Sequence, residues 1–229
     1  MGDDNNSADF DKDDAHQIHL RILGERGVDT ALLDQTAECF ARHPGPIRAM
    51  VDPVPIDFEP DDSGLFPVKS FQEGLEQLSE TKRSRPGEII AVLAIDPGEE
   101  MWRILTHDSD PKVFLCYTYD FHEGSRIPMG VVAAHFLLQG ILEALLVDAD
   151  ELANWHDEKQ GCLFDFAESK SDVLEKLLHA ELCAECLELI LRAGIALPLL
   201  YQAASMMSEA RSMAVAALQS HQSVLVHDL

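Results

Sequence analysis

The clearest hydrophobic pattern in the chain is the unbroken apolar run Ile89–Ile95, which lies between two Pro-Gly pairs. A continuous run of this length, rich in β-branched residues, is typical of a strand that is buried on both faces. Two further strands are predicted after it, Met101–Thr106 and Val113–Phe121, because the acids and the proline between them favour a turn at His107–Pro111. The pattern therefore predicts a small mixed sheet with Ile89–Ile95 as its central strand.

Helical periodicity is found on both sides of this run. A helix is predicted from about Thr30 to the prolines that follow His43, and a second one over about Ser70–Lys82. The segment Met129–Leu146 is apolar on nearly all sides, which predicts a helix that is buried inside the domain. Three more helices are predicted near the C-terminus, beginning at about Ser171, at Cys183 and at about Leu199.

These elements predict an α+β fold, or an α/β one, with a small mixed β-sheet, a buried central helix and a helical C-terminal part. Residues 50–67 contain four prolines among acids and are expected to be extended and irregular. Residues 1–14 carry six aspartates and one lysine, so we expect an acidic disordered tail. The main domain is predicted to span residues 15–192, and residues 193–229 are predicted to form a C-terminal helical extension.

The formal net charge of −24 narrows the range of partners to be expected. A charge of this sign repels phosphate backbones and anionic lipid headgroups, which argues against binding to nucleic acid or to a membrane surface. The N-terminus has acids where a signal peptide carries basic and apolar residues, and the longest apolar stretch, Ile127–Val147, is interrupted by polar side chains. Five cysteines, an odd number, fit a reducing compartment better than a disulfide framework. The sequence therefore predicts a soluble, cytoplasmic protein.

The C-terminal part contains the ligand spacing of a zinc site. Its members are His156, Cys162, Cys183 and Cys186. Together they supply the four nitrogen and thiolate ligands of a closed tetrahedral site, which predicts one structural zinc ion. The pair Cys183 and Cys186 lies near a predicted helix start, where the helix N-terminus favours thiolates. The fourth ligand is left open, because His179 is also near in sequence, whereas Cys39 and Cys116 are predicted to be core residues.

The segment from about Ile89 to Leu191 resembles the archaemetzincins, a family of zinc metallopeptidases in the metzincin clan. The elements follow the same order: the buried strand IIAVLAID, the strand pair MWRILTHD and KVFLCYTYDF, the apolar helix VVAAHFLLQGILEALL, then CLFDF and the late CAEC pair. In that family four cysteines hold a structural zinc ion, and the resemblance implies that Cys162, Cys183 and Cys186 match three of them. His156 stands near the first, with one residue more of spacing.

The catalytic motif of the archaemetzincins, HExxHxxGxxH, is degenerate in this chain. In that motif three histidines hold zinc and the glutamate activates water. His135 aligns with the first histidine, but Phe136 stands at the glutamate and Gln139 at the second histidine. Leu142 and Leu145 stand at the glycine and at the third histidine. Because phenylalanine accepts no proton and glutamine is a poor zinc ligand, no catalytic residue and no catalytic metal are predicted.

The polar residues His135, Gln139 and Glu143 repeat at four-residue intervals on this apolar helix. Residues at this spacing share one helix face, so they are expected to line either a vestigial cleft or a structural polar network. For His135 itself we expect a core histidine with a backbone or side-chain hydrogen-bonding partner.

The sequence thus predicts a catalytically inactive metallopeptidase homologue that acts through protein interaction, as a regulatory or scaffold module. One alternative is an active metallopeptidase with a rearranged site, in which His135 and Glu143 are joined by His107 or His122. Another is a purely structural subunit of a complex, which zinc stabilises. The apolar final helix is expected to pack on its own domain, or else to bind a protein partner or a second copy of the chain.

Overall fold

The computed structural model of the protein describes residues 17–58, 68–81, 88–95, 104–118, 126–149, 156, 159–167 and 169–227. The predicted acidic tail, residues 1–14, lies outside the described residues, and so does His122. The described residues form a mixed β-sheet with helices on both of its faces, which confirms the predicted α+β class.

Five strands form the sheet: β1 (Ile18–Gly24), β2 (Ile47–Val51), β3 (Ile89–Ala94), β4 (Ile104–His107) and β5 (Asp110–Tyr117). Their order across the sheet is β2-β1-β3-β5-β4, with β4 antiparallel to β5 and all other neighbours parallel. All six residues of β3 are buried, as a strand covered on both faces requires. The predicted central strand is therefore confirmed.

Strand β2 ends inside the segment for which the sequence predicts only irregular chain. It is short, and Ile47 is its one buried residue, so the local pattern of side chains does not mark it as a strand. Its parallel pairing with β1, in which Ile47 lies opposite Ile18, supplies the hydrogen bonds that stabilise it. The turn after β4 is also shorter than predicted, because Asp110 and Pro111 already belong to β5.

The helix α3 (Met129–Asp148) lies against the sheet at the centre of the main core. It packs closely on β5, since a Cβ atom at Gly140 would lie 2.5 Å from the Phe114 ring. In the described part of the chain it is the one helix long and apolar enough to cross a membrane, but 89% of its most apolar stretch is buried inside the protein. It is therefore a core helix, as the sequence predicts.

Five more helices are present in the described residues: α1 (Thr30–Arg42), α2 (Val68–Thr81), α4 (Lys170–His179), α5 (Ala184–Arg192) and α6 (Leu197–His227). Helix α1 packs beside α3 on one face of the sheet. Helix α2 covers the opposite face, where the rings of Phe58 and Phe71 meet edge to face at 4.8 Å between centroids. The sheet thus lies between two helical layers, and α4 and α6 extend the layer of α3.

Helix α6 packs on its own domain along the first part of its length. Its apolar stripe is buried in the main core and consists of Leu199, Ala203, Met206, Met207, Ala210 and Ala214. Gln202 accepts a hydrogen bond from the Ile47 N–H at 2.8 Å and donates one to the His43 carbonyl at 2.8 Å. The helix begins two residues before the predicted start, at Leu197, and continues to His227.

Candidate metal centre

Four side chains of the C-terminal region converge on one point. They are those of His156, Cys162, Cys183 and Cys186. One ligand atom of each lies within 4.8 Å of the ligand atoms of the others. The Nε2 atom of His156 lies 3.1 Å from Sγ of Cys186 and 3.2 Å from Sγ of Cys183. The imidazole therefore faces two of the three sulfur atoms.

The start of α5 places two of these sulfur atoms. Cys183 is the N-cap residue, and its Sγ accepts a hydrogen bond from the Cys186 N–H at 3.4 Å. Cys186 follows in the first turn of the helix and is fully buried. The helix N-terminus carries partial positive charge beside the two sulfurs, which favours their thiolate forms.

Cys162 belongs to a tight loop that is joined to the segment before α5. The Leu163 N–H donates to the Glu181 carbonyl at 2.7 Å, and the Cys183 N–H donates to the Cys162 sulfur at 3.4 Å. Gly161 turns the chain just before Cys162 with a φ of +80°, a conformation that glycine adopts without a steric penalty. These contacts bring the third sulfur to the other two.

The carboxylate of Asp165 fixes the conformation of this loop. Its Oδ2 atom accepts hydrogen bonds from three successive backbone N–H groups, those of Gln160 at 2.8 Å, Gly161 at 2.6 Å and Cys162 at 3.0 Å. Asp165 is buried, so these bonds form in a low-dielectric environment, which strengthens them. Asp165 also forms a parallel β-bridge with His156, which brings the histidine to the loop.

The pKa values of the Cys162 and Cys186 thiols are shifted in opposite directions. A hydrogen bond from the Cys186 thiol lowers the pKa of Cys162 to about 5. The same hydrogen bond raises the pKa of the Cys186 thiol. Cys162 is therefore the first of the two to become a thiolate, which is the form that binds metals.

This donor set fits one zinc ion. Three thiolates and one imidazole form a Cys3His set, which zinc binds with tetrahedral geometry in closed structural sites. Within the described residues, no other three histidine, cysteine or carboxylate side chains converge in this way. The prediction of one zinc site is confirmed in this respect: the four residues can hold one zinc ion.

The histidines that the sequence left as alternatives lie elsewhere. His179 packs against the loop of residues 160–165 that carries Cys162, the zinc loop, where a Cβ at Gly161 would lie 2.4 Å from Cβ of His179. It is not part of the converging group. His107 ends β4 and joins no metal-binding group in the described part of the chain, so it does not converge with His135 and Glu143. Cys39 and Cys116 are buried core residues, as predicted.

The arrangement of elements is similar to that of two solved structures. One is an archaemetzincin from Methanopyrus kandleri, with a TM-score of 0.56 and 10% sequence identity over 79% of this chain and 97% of that chain. The other is a zinc-dependent peptidase from Methanocorpusculum labreanum, with a TM-score of 0.50 and 12% identity over 76% of this chain and 99% of that chain. The chain has the archaemetzincin fold. No family model and no curated protein matches the sequence, so the likeness is one of structure.

In this archaemetzincin fold α3 carries the segment that the sequence aligns with the catalytic motif, and the polar residues of that segment are buried. His135, Gln139 and Glu143 are 3%, 2% and 5% exposed. The Nε2 atom of Gln139 donates a hydrogen bond to Oε1 of Glu143 at 2.7 Å. The ammonium group of Lys176, on α4, donates to Oε1 of Gln139 at 2.5 Å. Gln139 and Glu143 are thus joined to a neighbouring helix by a packed polar network.

His135 is a core residue, but the expected hydrogen-bonding partner is not found. Neither of its ring nitrogens has a partner among the described residues. The ring is packed near apolar groups instead, with the Phe136 ring centroid 5.9 Å from its own. Burial, assisted by the positive charge of Lys176, lowers the pKa of His135 to about 3. The imidazole is therefore neutral at physiological pH.

Lys176 is the member of this network to which the sequence analysis assigns no role. Its buried ammonium also donates to the Asp165 carbonyl at 2.8 Å and lies 5.4 Å from the centroid of the Phe136 ring. Burial lowers the pKa of Lys176 to about 8 and raises the pKa of Glu143 to about 7. Helical spacing in the sequence indicates that Lys176 is buried. Lys176 follows Val173 by three positions, which places both residues on the apolar face of α4.

Proposed function

We propose that the protein is a catalytically inactive zinc protein with the archaemetzincin fold, which acts in the cytoplasm as a regulatory or scaffold module by binding another protein. The main observation in support of catalytic inactivity is the hydrogen bond between Nζ of Lys176 and Oε1 of Gln139. This bond puts a buried cation on the helix face that, in the catalytic motif of the archaemetzincins, carries zinc ligands.

The residues at the motif positions lack groups that peptide hydrolysis needs. A metallopeptidase positions a general base beside a metal-bound water, and general-base catalysis alone contributes about 10²–10⁴ in rate. Phe136 stands at the position of the base and is buried in the main core. Its phenyl ring can neither accept a proton nor polarise water.

The charge of Lys176 also opposes a second metal ion at this helix face. An ammonium group and a divalent cation repel each other strongly at short range in a buried, low-dielectric environment. Two of the oxygens that a metal would use are already hydrogen-bonded, Oε1 of Gln139 to Lys176 and Oε1 of Glu143 to Gln139. Binding a metal would therefore require these bonds to break and the ammonium to move.

A second candidate is an active metallopeptidase with a rearranged site, and one observation favours it. The ring nitrogens of His135 have no partner among the described residues, and a neutral imidazole is the form that binds metals. Glu143 stands two turns further along the same helix. In this alternative His122 would be the third ligand of a second metal ion, beside His135 and Glu143. The number of metal ions per chain therefore distinguishes the active enzyme from the inactive protein.

The first experiment measures metal content and peptidase activity. We expect one zinc ion per chain and no cleavage of a broad peptide library, with or without added zinc or a chelator. His135→Ala should behave in the same way, because His135 contacts no metal in the inactive protein. Two zinc ions per chain, or cleavage that both a chelator and His135→Ala abolish while the fold is retained, would establish the enzyme instead.

The proposed binding surface lies on α5, which carries the zinc donor Cys186, and on α6, which follows it. Leu187 and Leu191 on α5 are 39% and 49% exposed, and Leu197 and Tyr201 on α6 are 56% and 73% exposed. The members of each pair are one helical turn apart and so share a helix face. Glu188 is exposed beside Leu187, and the chain carries a net charge of −24, so the expected partner presents a basic, apolar segment.

The second experiment tests this surface. A protein captured from native extract should bind the purified wild type and lose affinity for Leu187→Ser/Leu191→Ser. The matched control is Met50→Ser/Val54→Ser, which removes two apolar side chains that are 44% and 51% exposed on another part of the molecule. Equal binding by both variants would exclude the α5 surface. Sedimentation of the purified chain distinguishes a second copy of the chain as the occupant, because a dimer would dissociate in the α5 variant.

A further inference from the structure

A series of hydrogen bonds, all buried except the part-buried one from the Gln160 N–H, connects the zinc centre to helix α3. It begins at the backbone N–H groups of residues 160–162, which donate to Oδ2 of Asp165. The carbonyl of Asp165 accepts a hydrogen bond from Nζ of Lys176 at 2.8 Å. Lys176 donates a second one to Gln139 at 2.5 Å, and Gln139 donates to Glu143 at 2.7 Å. The loop that carries the zinc donor Cys162 is in this way anchored in the main core.

Lys176 is held in place from three directions. Its ammonium is hydrogen-bonded to the zinc loop and to α3, and it lies 5.4 Å from the centroid of the Phe136 ring. A buried ammonium without such partners would be strongly destabilising. Its backbone is fixed as well, since α4 begins with a capping box formed by Ser169 and Asp172. The position of the ammonium is therefore well defined. Through its hydrogen bond to the Asp165 carbonyl, the ammonium also holds Asp165 in place.

We propose that Asp165 and Lys176 position the zinc donor Cys162, as an outer shell of the metal centre. Asp165 gathers the backbone N–H groups that set the direction of Cys162, and Lys176 secures Asp165 to α3. The ammonium also provides positive charge near a centre in which three thiolates outweigh the two charges of Zn²⁺. Groups of this kind beyond the ligands contribute about 10–100-fold to the affinity for metal.

This role of Lys176 depends on zinc binding by the four donors, which is part of the proposed function, and not on the absence of catalysis. Zinc affinity and the absorption spectrum of the cobalt-substituted protein report on it directly. Failure of Lys176 to act in this way would leave zinc stoichiometry and peptidase inactivity unchanged, so the two proposals can fail separately.

The experiment compares zinc affinity in variants of the full chain, by competition with a chromogenic chelator of known affinity. Lys176→Met keeps the length of the side chain and removes its charge and its donors. We expect about 10–100-fold weaker zinc binding and altered d–d bands of bound Co²⁺. Lys112→Met is the matched control, because Lys112 is paired with Asp148 at the end of α3 and contacts none of the zinc donors. It should bind zinc like the wild type.

A double variant separates positioning from simple charge balance. Lys176→Met/Glu143→Gln removes the charges of Lys176 and Glu143 together. The single variant Lys176→Met leaves Glu143 buried without a nearby cation, so the double variant should be more stable than Lys176→Met. Its zinc affinity should nevertheless stay about 10–100-fold below that of the wild type. Asp165→Asn, which removes the carboxylate from the other end, should change affinity in the same direction. Wild-type zinc affinity and a wild-type cobalt spectrum in a folded double variant or in folded Asp165→Asn would overturn the proposal.

Discussion

The Nε2 atom of His156 lies 3.1 Å from Sγ of Cys186, although the two residues are 30 positions apart in the sequence. Cys186 belongs to α5, which is nine residues long. A helix of this length is not stable in isolation, so its position depends on contacts with the rest of the domain. A zinc ion bound to both residues supplies such a contact, and it ties α5 to the loop that precedes α4.

Replacement of a cysteine donor should therefore release zinc and disorder the C-terminal helices. Structural zinc ions contribute roughly 10 kcal/mol or more in small zinc modules, and the serine hydroxyl in Cys183→Ser does not replace a thiolate ligand. We expect elemental analysis of Cys183→Ser to show less than one zinc ion per chain, and far-UV circular dichroism to show a loss of helix.

The matched control for this change is Cys39→Ser, the same substitution at a buried cysteine outside the group. It should keep one zinc ion per chain, although it loses some stability because a hydroxyl is placed in the core. A wild-type protein that is purified without chelator and contains no zinc would contradict the prediction.

Removal of the histidine donor should weaken zinc binding less than removal of a cysteine. In His156→Ala a water molecule can complete the tetrahedron around an ion that three thiolates still hold. The measurement is competition with a chelator, with His179→Ala as control, because His179 lies beside the loop and outside the donor group. Equal losses for His156→Ala and Cys183→Ser would mean that all donors are indispensable, and no loss would exclude His156 as a ligand.

The buried ring of His135 should make stability depend on pH. Its pKa is lowered to about 3 in the folded protein, so between this value and about 6.5 the unfolded chain takes up a proton that the folded chain does not. Above pH 6.5 the His135 ring is neutral in both states and carries no penalty. As the pH falls from 6.5 towards 3, protonation of His135 in the unfolded chain lowers the free energy of unfolding. From pH 7.5 to pH 5, in excess zinc, the free energy of unfolding of the wild type should fall by about 2 kcal/mol relative to His135→Leu.

Denaturant titrations of both proteins across this range measure the difference. The comparison between variants cancels the titration of groups that they share, such as Glu143 and Lys176, whose pKa values are also shifted by burial. Parallel pH profiles would show that His135 does not remain neutral in the folded protein.

Because α3 packs closely on β5, replacing Gly140 of α3 with alanine should destabilise the protein, whereas glycine-to-alanine changes in exposed helices usually stabilise. In an exposed helix, glycine to alanine stabilises by about 1 kcal/mol. In Gly140→Ala the new Cβ would lie 2.5 Å from the Phe114 ring, so we expect a loss of about 1–3 kcal/mol by overpacking. Thermal unfolding checks this, and Gly140→Ala/Phe114→Leu should be more stable than the sum of the single effects predicts, because leucine leaves room for the methyl group.

The core strand and the buried helix could be predicted because their signals are local. The run Ile89–Ile95 is apolar throughout and short enough for a strand, and the segment Met129–Leu146 is apolar on nearly all sides and long enough for a helix. The zinc donors could be predicted for a similar reason, since the Cys183 and Cys186 pair has a metal-ligand spacing within one turn of a helix start.

Features that depend on tertiary contacts could not be predicted in the same way. Strand β2 is stabilised by pairing with β1, and its own five residues carry little hydrophobic signal. His135 was expected to find a hydrogen-bonding partner, yet its surroundings come from other elements and provide none among the described residues. Helical spacing places Lys176 on the apolar face of α4, but its hydrogen bonds to Gln139 and Asp165 depend on the meeting of α4, α3 and the zinc loop, which the sequence does not show.

Helix α3 leaves the ribosome before the part of the chain that covers it. Its residues precede α4 and α6, which pack into the same core, and on its own it is apolar enough to resemble a membrane segment. We therefore expect the exposed apolar surface of α3 to make the nascent chain prone to aggregation until its C-terminal helices have been made and zinc has bound. We expect this stage to last longer under zinc starvation and more of the newly made protein to be lost to aggregation and proteolysis, so that its abundance in the cell follows the supply of the metal.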